Sequence, residues 1–260
     1  MPELPDLEIY KSNLTRRLKS QRLSGLNVFN MNKATVPESF LLDELGGREL
    51  LSIDRAGKEL CFDFGDGRIV SAHLMLSGRM TIVSKEEIPK VKFKIFSFTF
   101  ENDSLVFSDE GRLCTIKYKP PPNKAPDALD AKFTLEYLVK TARKKPLVNI
   151  KAFLIDQKIV KGIGNAYVDE ILWAARVSPR SLTGKIPDDA FASLYNSIGE
   201  VLKNAIESIK KISPDIISGE ERSFLKVHNK DLSQTETGHK IIVEMIAQKK
   251  TYYTDEQIFY

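Results

Sequence analysis

Between residues 119 and 130 the chain reads KPPPNKAPDALD, with four prolines in twelve residues. Proline fixes φ, donates no backbone N–H and pushes the residue before it toward extended conformations. Neither a helix nor an interior strand runs through such a stretch, which reads as a stiff, extended linker. It divides the 260 residues into an N-terminal domain at 1–118 and a C-terminal domain at 131–260.

The hydrophobic pattern differs on the two sides. LPDLEIYKSNLTRRL sets Leu7, Tyr10, Leu14 and Leu18 at helical spacing, which predicts one helix near the start. From about residue 24 to 118 short alternating runs follow: ELLSIDRAG, KELCFDF, GRIVSAHLML, RMTIVS, FKIFSFTF and SLVFSD. Gly, Asp and Asn turn signals bound them, a pattern that suggests a sandwich or barrel. After the linker the pattern is helical from Phe133 to about Lys211, and KIIVEMIA with KKTYYTDEQIFY predicts a closing β-hairpin. The fold class read from this layout is α+β.

Composition narrows the function classes. A hydrophobic share of 42% and a charged share of 28% are those of a soluble globular protein. No apolar run approaches the roughly 18 residues of a membrane span, and the start lacks a signal pattern. Two cysteines, Cys61 and Cys114, are too few for a four-cysteine zinc site and fit a reducing cytosol. A cytoplasmic location is expected, at the nucleoid if the source is bacterial. Net charge is only +4, but Lys140 to Lys161 holds seven Lys or Arg against one acid, Asp156. Such a run is either a solvated helix face or the footprint of a phosphate-bearing partner.

The run leads into DQKIVKGIGNAYVDEIL, where Lys161 precedes Gly162, Gly164 and Asn165. Glycines before a helix leave backbone amides uncovered and form an anion site, and Asn165 can cap that helix or reach a phosphate. A purely structural junction is the alternative for a lone GxG. The basic run beside it favours phosphate.

MPELPD, at the very start, places Pro2 beside Glu3. With Met1 removed, Pro2 presents a secondary amine, a nucleophile for an aldehyde-like carbon that yields an electron-withdrawing iminium. Alone, the same residues read as a frayed chain end.

MPELPD and KAFLIDQKIVKGIGNAYVDEILWAARVSPR, more than 150 residues apart, together resemble the formamidopyrimidine-DNA glycosylase and endonuclease VIII family over nearly the whole chain. The resemblance implies a β-sandwich with an N-terminal helix, then a helix–two-turn–helix domain with a hairpin finger at about 226–260. It implies a bifunctional DNA glycosylase and abasic-site lyase of base excision repair, acting as a monomer on duplex DNA with oxidised bases or abasic sites. Pro2 would be the Schiff-base nucleophile and Glu3 the proton-transfer carboxylate, with strand cleavage by β- or β,δ-elimination. Lys58 would contact phosphate beside the lesion, as would His73, and Asn165 would hold phosphate from the two-turn motif.

The resemblance also exposes departures. Gln234, Thr237, Thr254 and Gln257 fall where the family's finger has two C-x-x-C pairs, so no metal cofactor is expected. Ile242, Met245, Tyr252 and Phe259 are expected to hold the hairpin instead. The finger's arginine falls on Lys249, with Lys250 following; a lysine keeps the charge without the fork. The gap-filling positions become Leu76, Gly111 and Leu113, with Arg112 displaced by one. A Leu76–Leu113 wedge still supports stacking. The short segment KKISPDIISGEERSFLKVHN argues against 8-oxoguanine as main substrate. Two other readings stand beside the enzyme: a non-catalytic binder of damaged or bent DNA descended from one, and an RNA- or single-strand-binding protein.

Overall fold

A computed structural model describes all 260 residues, Met1–Tyr260. The chain forms two compact units: Met1–Pro2 with Asp6–Pro122 and Ser213–Glu220, and Glu3–Pro5 with Asn123–Ile212 and Glu221–Tyr260.

Helix α1 (Leu4–Leu18) belongs to the first unit from Asp6 onward and buries Leu7, Tyr10, Leu14 and Leu18 in its core, as its spacing predicts. Eight strands follow: β1 (Leu23–Val28), β2 (Ser52–Ala56), β3 (Glu59–Asp63), β4 (Ile69–His73), β5 (Arg79–Val83), β6 (Lys94–Phe100), β7 (Ser104–Ser108) and β8 (Thr115–Tyr118). They make two antiparallel sheets, ordered β1-β6-β7-β5 and β2-β3-β4-β8. The inner faces meet through aromatic rings: Phe62 of β3 stands 5.2 Å from Phe98 of β6 and 5.9 Å from Phe107 of β7. The arrangement is a sandwich. Strands β1 and β8 lie within the expected strand-rich span outside its clearest runs, and helix α2 (Glu38–Leu45), whose Leu41 and Leu45 turn inward, is not anticipated there.

The second unit contains α3 (Leu135–Arg143), α4 (Ile150–Ile155), α5 (Asn165–Ala174), α6 (Asp188–Ile212) and the hairpin β9 (Ile242–Ile246) and β10 (Lys249–Tyr253). Thr134 caps α3 and Asn149 caps α4 with side-chain oxygens on backbone N–H groups. The connection from α4 to α5 is knitted by Gln157, which donates to the carbonyls of Ile155 and Ile163 and accepts from Gly162 N, each at 2.9 Å. Ala247 and Gln248 both take positive φ, 50° and 61°, the two-residue turn that matches strand twist.

The hairpin is not held by all the side chains expected. Met245 is 68% and Phe259 69% exposed, while Ile241, Ile246, Tyr252 and Tyr253 are buried. Tyr252 packs with Ile241, Val227 and Trp173. Alternation along a short strand does not by itself say which face finds a partner.

Candidate active site and nucleic-acid interface

In the sandwich unit Pro2 is buried and lines a cavity of about 410 Å³ with Leu76, Ser77, Arg79, Asp109 and Glu110. Gly219 and Glu220 complete its rim, and the Met1 amine is paired with the Glu220 carboxylate.

Asp109 organises the loops around this cavity, although nothing in the local pattern marks it. Its carboxylate accepts from Ser77 Oγ at 2.6 Å and from the backbone N–H groups of Gly111, Leu113 and Cys114 at 3.0, 2.6 and 2.7 Å. Burial opposes its charge, but these donors hold the carboxyl below its ordinary range. The loop with Leu76 and the loop with Arg112 and Leu113 are thereby joined through one side chain. Leu76 itself is 65% exposed, and Arg112 is exposed with φ 52°.

Lys58 occupies the two-residue turn between β2 and β3, where Gly57 has φ 64° and Ala56 pairs with Glu59. The lysine is buried. His73 pairs with Glu59 on the next strand. Its Nδ1 accepts from Met75 N at 2.9 Å, so the proton of the neutral ring sits on Nε2. Burial lowers its pKa, Glu59 opposes that, and Lys58 and Lys117 add to it. A neutral imidazole that presents an Nε2–H donor suits a phosphate oxygen.

In the second unit the amides before α5 are already occupied. Glu3, 3% exposed, accepts from Gly164 N at 2.7 Å, Ala166 N at 2.9 Å and Tyr167 N at 3.4 Å. The anion site expected for phosphate is filled by the protein's own carboxylate, and Gly162 N is bound to Gln157. Gly162 has a separate reason to be glycine: at φ +100° a Cβ would stand 2.6 Å from Leu4 Cδ1. Asn165 does not cap α5. Its Nδ2 donates to the Lys250 carbonyl at 2.9 Å, which ties the helix start to β10. Lys161 is half-buried, and its Nζ donates to Asn123 O at 3.4 Å. Lys249 and Lys250 are exposed and open β10, one step past the turn.

Buried charges that sequence reading passes over hold this unit together. Lys151 Nζ meets Asp169 Oδ1 and Thr251 Oγ1, both at 2.7 Å; burial pushes the lysine pKa down and Asp169 opposes it. Asp169 Oδ2 contacts His228 Nδ1 at 2.7 Å and accepts from Tyr252 N at 3.0 Å. Glu170 accepts from the N–H groups of Lys226, Val227 and His228. Helices α4 and α5, the loop at 226–228 and β10 thus share two carboxylates.

At the finger positions Glu256 is the centre. Its Oε2 accepts from Thr237 Oγ1 at 2.9 Å, Trp173 Nε1 at 3.1 Å and Thr254 Oγ1 at 3.2 Å. Gln257 accepts from Thr254 N and donates to Val177 O, each at 2.9 Å, whereas Gln234 is exposed. No cluster of three or more His, Cys, Asp or Glu side chains could hold a metal ion.

Residues 1–116 match the formamidopyrimidine-DNA glycosylase N-terminal domain, and residues 125–215 the H2TH domain of the same glycosylase. The formamidopyrimidine-DNA glycosylase of Carboxydothermus hydrogenoformans is 31% identical over 97% of this chain and 98% of its own. The chain belongs to the formamidopyrimidine-DNA glycosylase family. A glycosylase of the same name from Lactococcus lactis subsp. lactis is 27% identical over 93% of this chain and 91% of its own. Among solved structures, the Lactococcus lactis Fpg bound to FAPY-dG containing DNA superposes with a TM-score of 0.86 at 25% identity, covering 97% of this chain and 98% of that one. The wild-type Fpg of that organism with oxidised-pyrimidine DNA gives the same values. Family membership accounts for the two-sheet unit followed by the helical unit. No helix is long and apolar enough to cross a membrane.

Proposed function

We propose that this chain is a bifunctional DNA glycosylase and abasic-site lyase of base excision repair, acting on oxidised bases in duplex DNA. The observation that carries the reading is Pro2 itself, set into a cavity of about 410 Å³ within a member of a glycosylase family. The relatives solved with FAPY-dG and oxidised-pyrimidine DNA support the substrate class.

Removal of Met1 frees the Pro2 nitrogen as a secondary amine and breaks the pair between the Met1 amine and Glu220. That amine attacks C1′ of an extruded nucleotide, the base leaves, and the sugar opens to an iminium. Glu3 follows Pro2 directly, and three backbone donors fix its carboxylate, so it is oriented to move a proton during ring opening. The iminium withdraws electrons and promotes β- or β,δ-elimination of the flanking phosphates. Lys58 and His73 hold phosphate beside the lesion. Leu76 and Leu113, both exposed, fill the gap with Arg112 beside them, and Lys161, Asn165, Lys249 and Lys250 engage the backbone.

Borohydride trapping on abasic duplex tests the reading. A covalent protein–DNA adduct at the mass of the Met1-processed chain is expected, and an uncleaved N-terminal extension should abolish it. Full trapping by the extended protein would assign the chemistry to another amine. Binding without any adduct would leave a non-catalytic binder of damaged DNA.

A further inference from the structure

The segment Ser213–Glu220 follows α6 in the chain but belongs to the sandwich unit, as Pro2 does. Buried groups of the sandwich fix it. Asn13 Nδ2 donates to Pro214 O at 2.9 Å and to Ile216 O at 2.8 Å, and the Tyr10 hydroxyl donates to Gly219 O. Met80 N donates to Ser218 Oγ at 3.1 Å, while Ile216 and Ile217 pack on the sandwich core. A segment tied through its carbonyls on both sides of an apolar pair holds the next residue in place. That residue is Glu220, at the rim of the Pro2 cavity.

Three carboxylates line this cavity, Asp109, Glu110 and Glu220, with Arg79 as the one cation. Asp109 is committed to Ser77 and to three backbone N–H groups, and Glu110 is exposed. Glu220 is the one paired with the N-terminal amine. The Met1 and Pro2 nitrogens are joined through one Cα and one carbonyl carbon, so they stand about 3–4 Å apart. A carboxylate that reaches the first is within one side-chain rotation of the second. Removal of Met1 therefore takes one partner from Glu220 and leaves a new ammonium beside it.

We infer that Glu220 is the base that takes the protons of the Pro2 nitrogen, an inference that rests on the lyase function above. A terminal amine is largely protonated at neutral pH and then has no lone pair to offer. Glu220 accepts one N–H proton, and the freed pair forms the N–C1′ bond. The C1′–base bond breaks with its electrons on the base, which is protonated by water, and the hydroxide so formed restores the Glu220 carboxylate. Glu220 then takes the proton left on nitrogen. The nitrogen pair expels O4′, which gains the proton moved by Glu3, and the iminium results. One carboxylate serves the nitrogen and the other the ring oxygen.

The test uses the Met1-processed chain, checked by mass, with the variants Glu220→Gln and Glu220→Asp. Arg79, Asp109 and Glu110 are unchanged in both, so differences report on Glu220. Nitrogen NMR of proline-labelled protein follows the Pro2 amine, and single-turnover borohydride trapping on an abasic duplex follows the reaction. Without a carboxylate beside it the ammonium is less stable, so in Glu220→Gln the amine should titrate at lower pH than in the parent. More amine is then free at neutral pH, yet trapping should slow on the order of a hundredfold, because no group takes the proton. The deficit should shrink as pH rises and hydroxide takes over. Glu220→Asp should recover part of the rate, and melting temperature and affinity for a tetrahydrofuran duplex should match the parent in both variants. An unchanged amine titration overturns the inference. Faster trapping by Glu220→Gln also overturns it, since the carboxylate would then only hold the amine protonated. Slowing by the same factor at every pH, or a loss of duplex affinity, would make Glu220 structural and overturn it too. A parent that traps on no abasic duplex removes the lyase function and this inference with it, whereas a trapping parent with an equally fast Glu220→Gln removes this inference alone.

Discussion

Ser77 Oγ donates to Asp109 Oδ1 across 2.6 Å, and that single bond joins the loop bearing Leu76 to the loop bearing Arg112 and Leu113. Asp109 has three further donors, all backbone N–H groups. Asn offers one acceptor oxygen where the carboxylate offers two, so Asp109→Asn should leave buried donors unmatched and destabilise the protein by about 1–3 kcal/mol. Affinity for an abasic duplex should fall with it as the wedge loops separate. The carboxyl is held below its ordinary value of 3.8, so its contribution is present above that pH and lost as pH falls through the lower folded value. Urea melts across an acid series for parent and variant check both statements, since only the parent should show this loss.

Glu3→Gln should affect two properties at once. The amide keeps one oxygen for the three N–H groups at the start of α5 and turns an NH2 against the others, so thermal stability should drop by about 1–3 kcal/mol. Base excision should fall more than cleavage at a ready-made abasic site, because the abasic sugar already offers an electrophilic C1′. Parallel assays on an oxidised-base duplex and an abasic duplex separate the effects. Equal losses would give Glu3 a purely structural role.

How legible this site is in the sequence depends on whether a residue acts through its neighbours in the chain or through distant ones. Pro2 and Glu3 are adjacent, and GIGN carries its turn residues locally, so both candidates stand out in the string. The occupant of the GIGN amides cannot, because the Glu3 carboxylate arrives from 161 residues away and replaces the phosphate that local pattern suggests. Asp109, Lys151 and Asp169 escape for the same reason: their partners lie on other elements, and an isolated Asp or Lys in a string looks like surface. The fold is more readable than the site. The strands with clear alternation and the first helix are found, but α2 lies within a strand-rich stretch, and β1 and β8 lack a clear alternating run. Met245 and Phe259 show the limit of hydrophobicity as a guide, being apolar and exposed.

The finger should be indifferent to chelators. Trp173, the only tryptophan of the chain, donates to Glu256, so its fluorescence reports on the cluster that Glu256 forms with Thr237 and Thr254. EDTA should leave emission, melting temperature and metal content unchanged, with no stoichiometric zinc in the purified protein. Burial raises the Glu256 pKa, but the bonds from Trp173, Thr237 and Thr254 hold it below its ordinary 4.5. Emission should therefore stay constant down to pH 4.5 and change only below it. Glu256→Ala should abolish that transition. One zinc per chain would refute the metal-free reading.

Lys249 should grip phosphate without reading a base. It is exposed at the first position of β10, and an ammonium is a point charge without the fork that matches guanine. Lys249→Ala should weaken binding to damaged and undamaged duplex alike and lower the salt-dependence slope by about 0.9. Lys249→Arg should restore affinity. Titrations of affinity against salt measure the slope, and an unchanged value in the alanine variant would transfer the role to Lys250.

The placement of Glu3 and Leu4 also sets an order on biosynthesis. Both leave the ribosome long before the glycine turn that receives them, with Leu4 N bound to Gly162 O at 3.1 Å and the Glu3 carboxylate on the α5 amides. A domain that matures from its N-terminus onward would bury its first residues early. Here they must wait, accessible to processing enzymes, until the partner segment is translated. The Pro2 nitrogen, proposed above as the nucleophile, is the immediate chain neighbour of these late-docking residues.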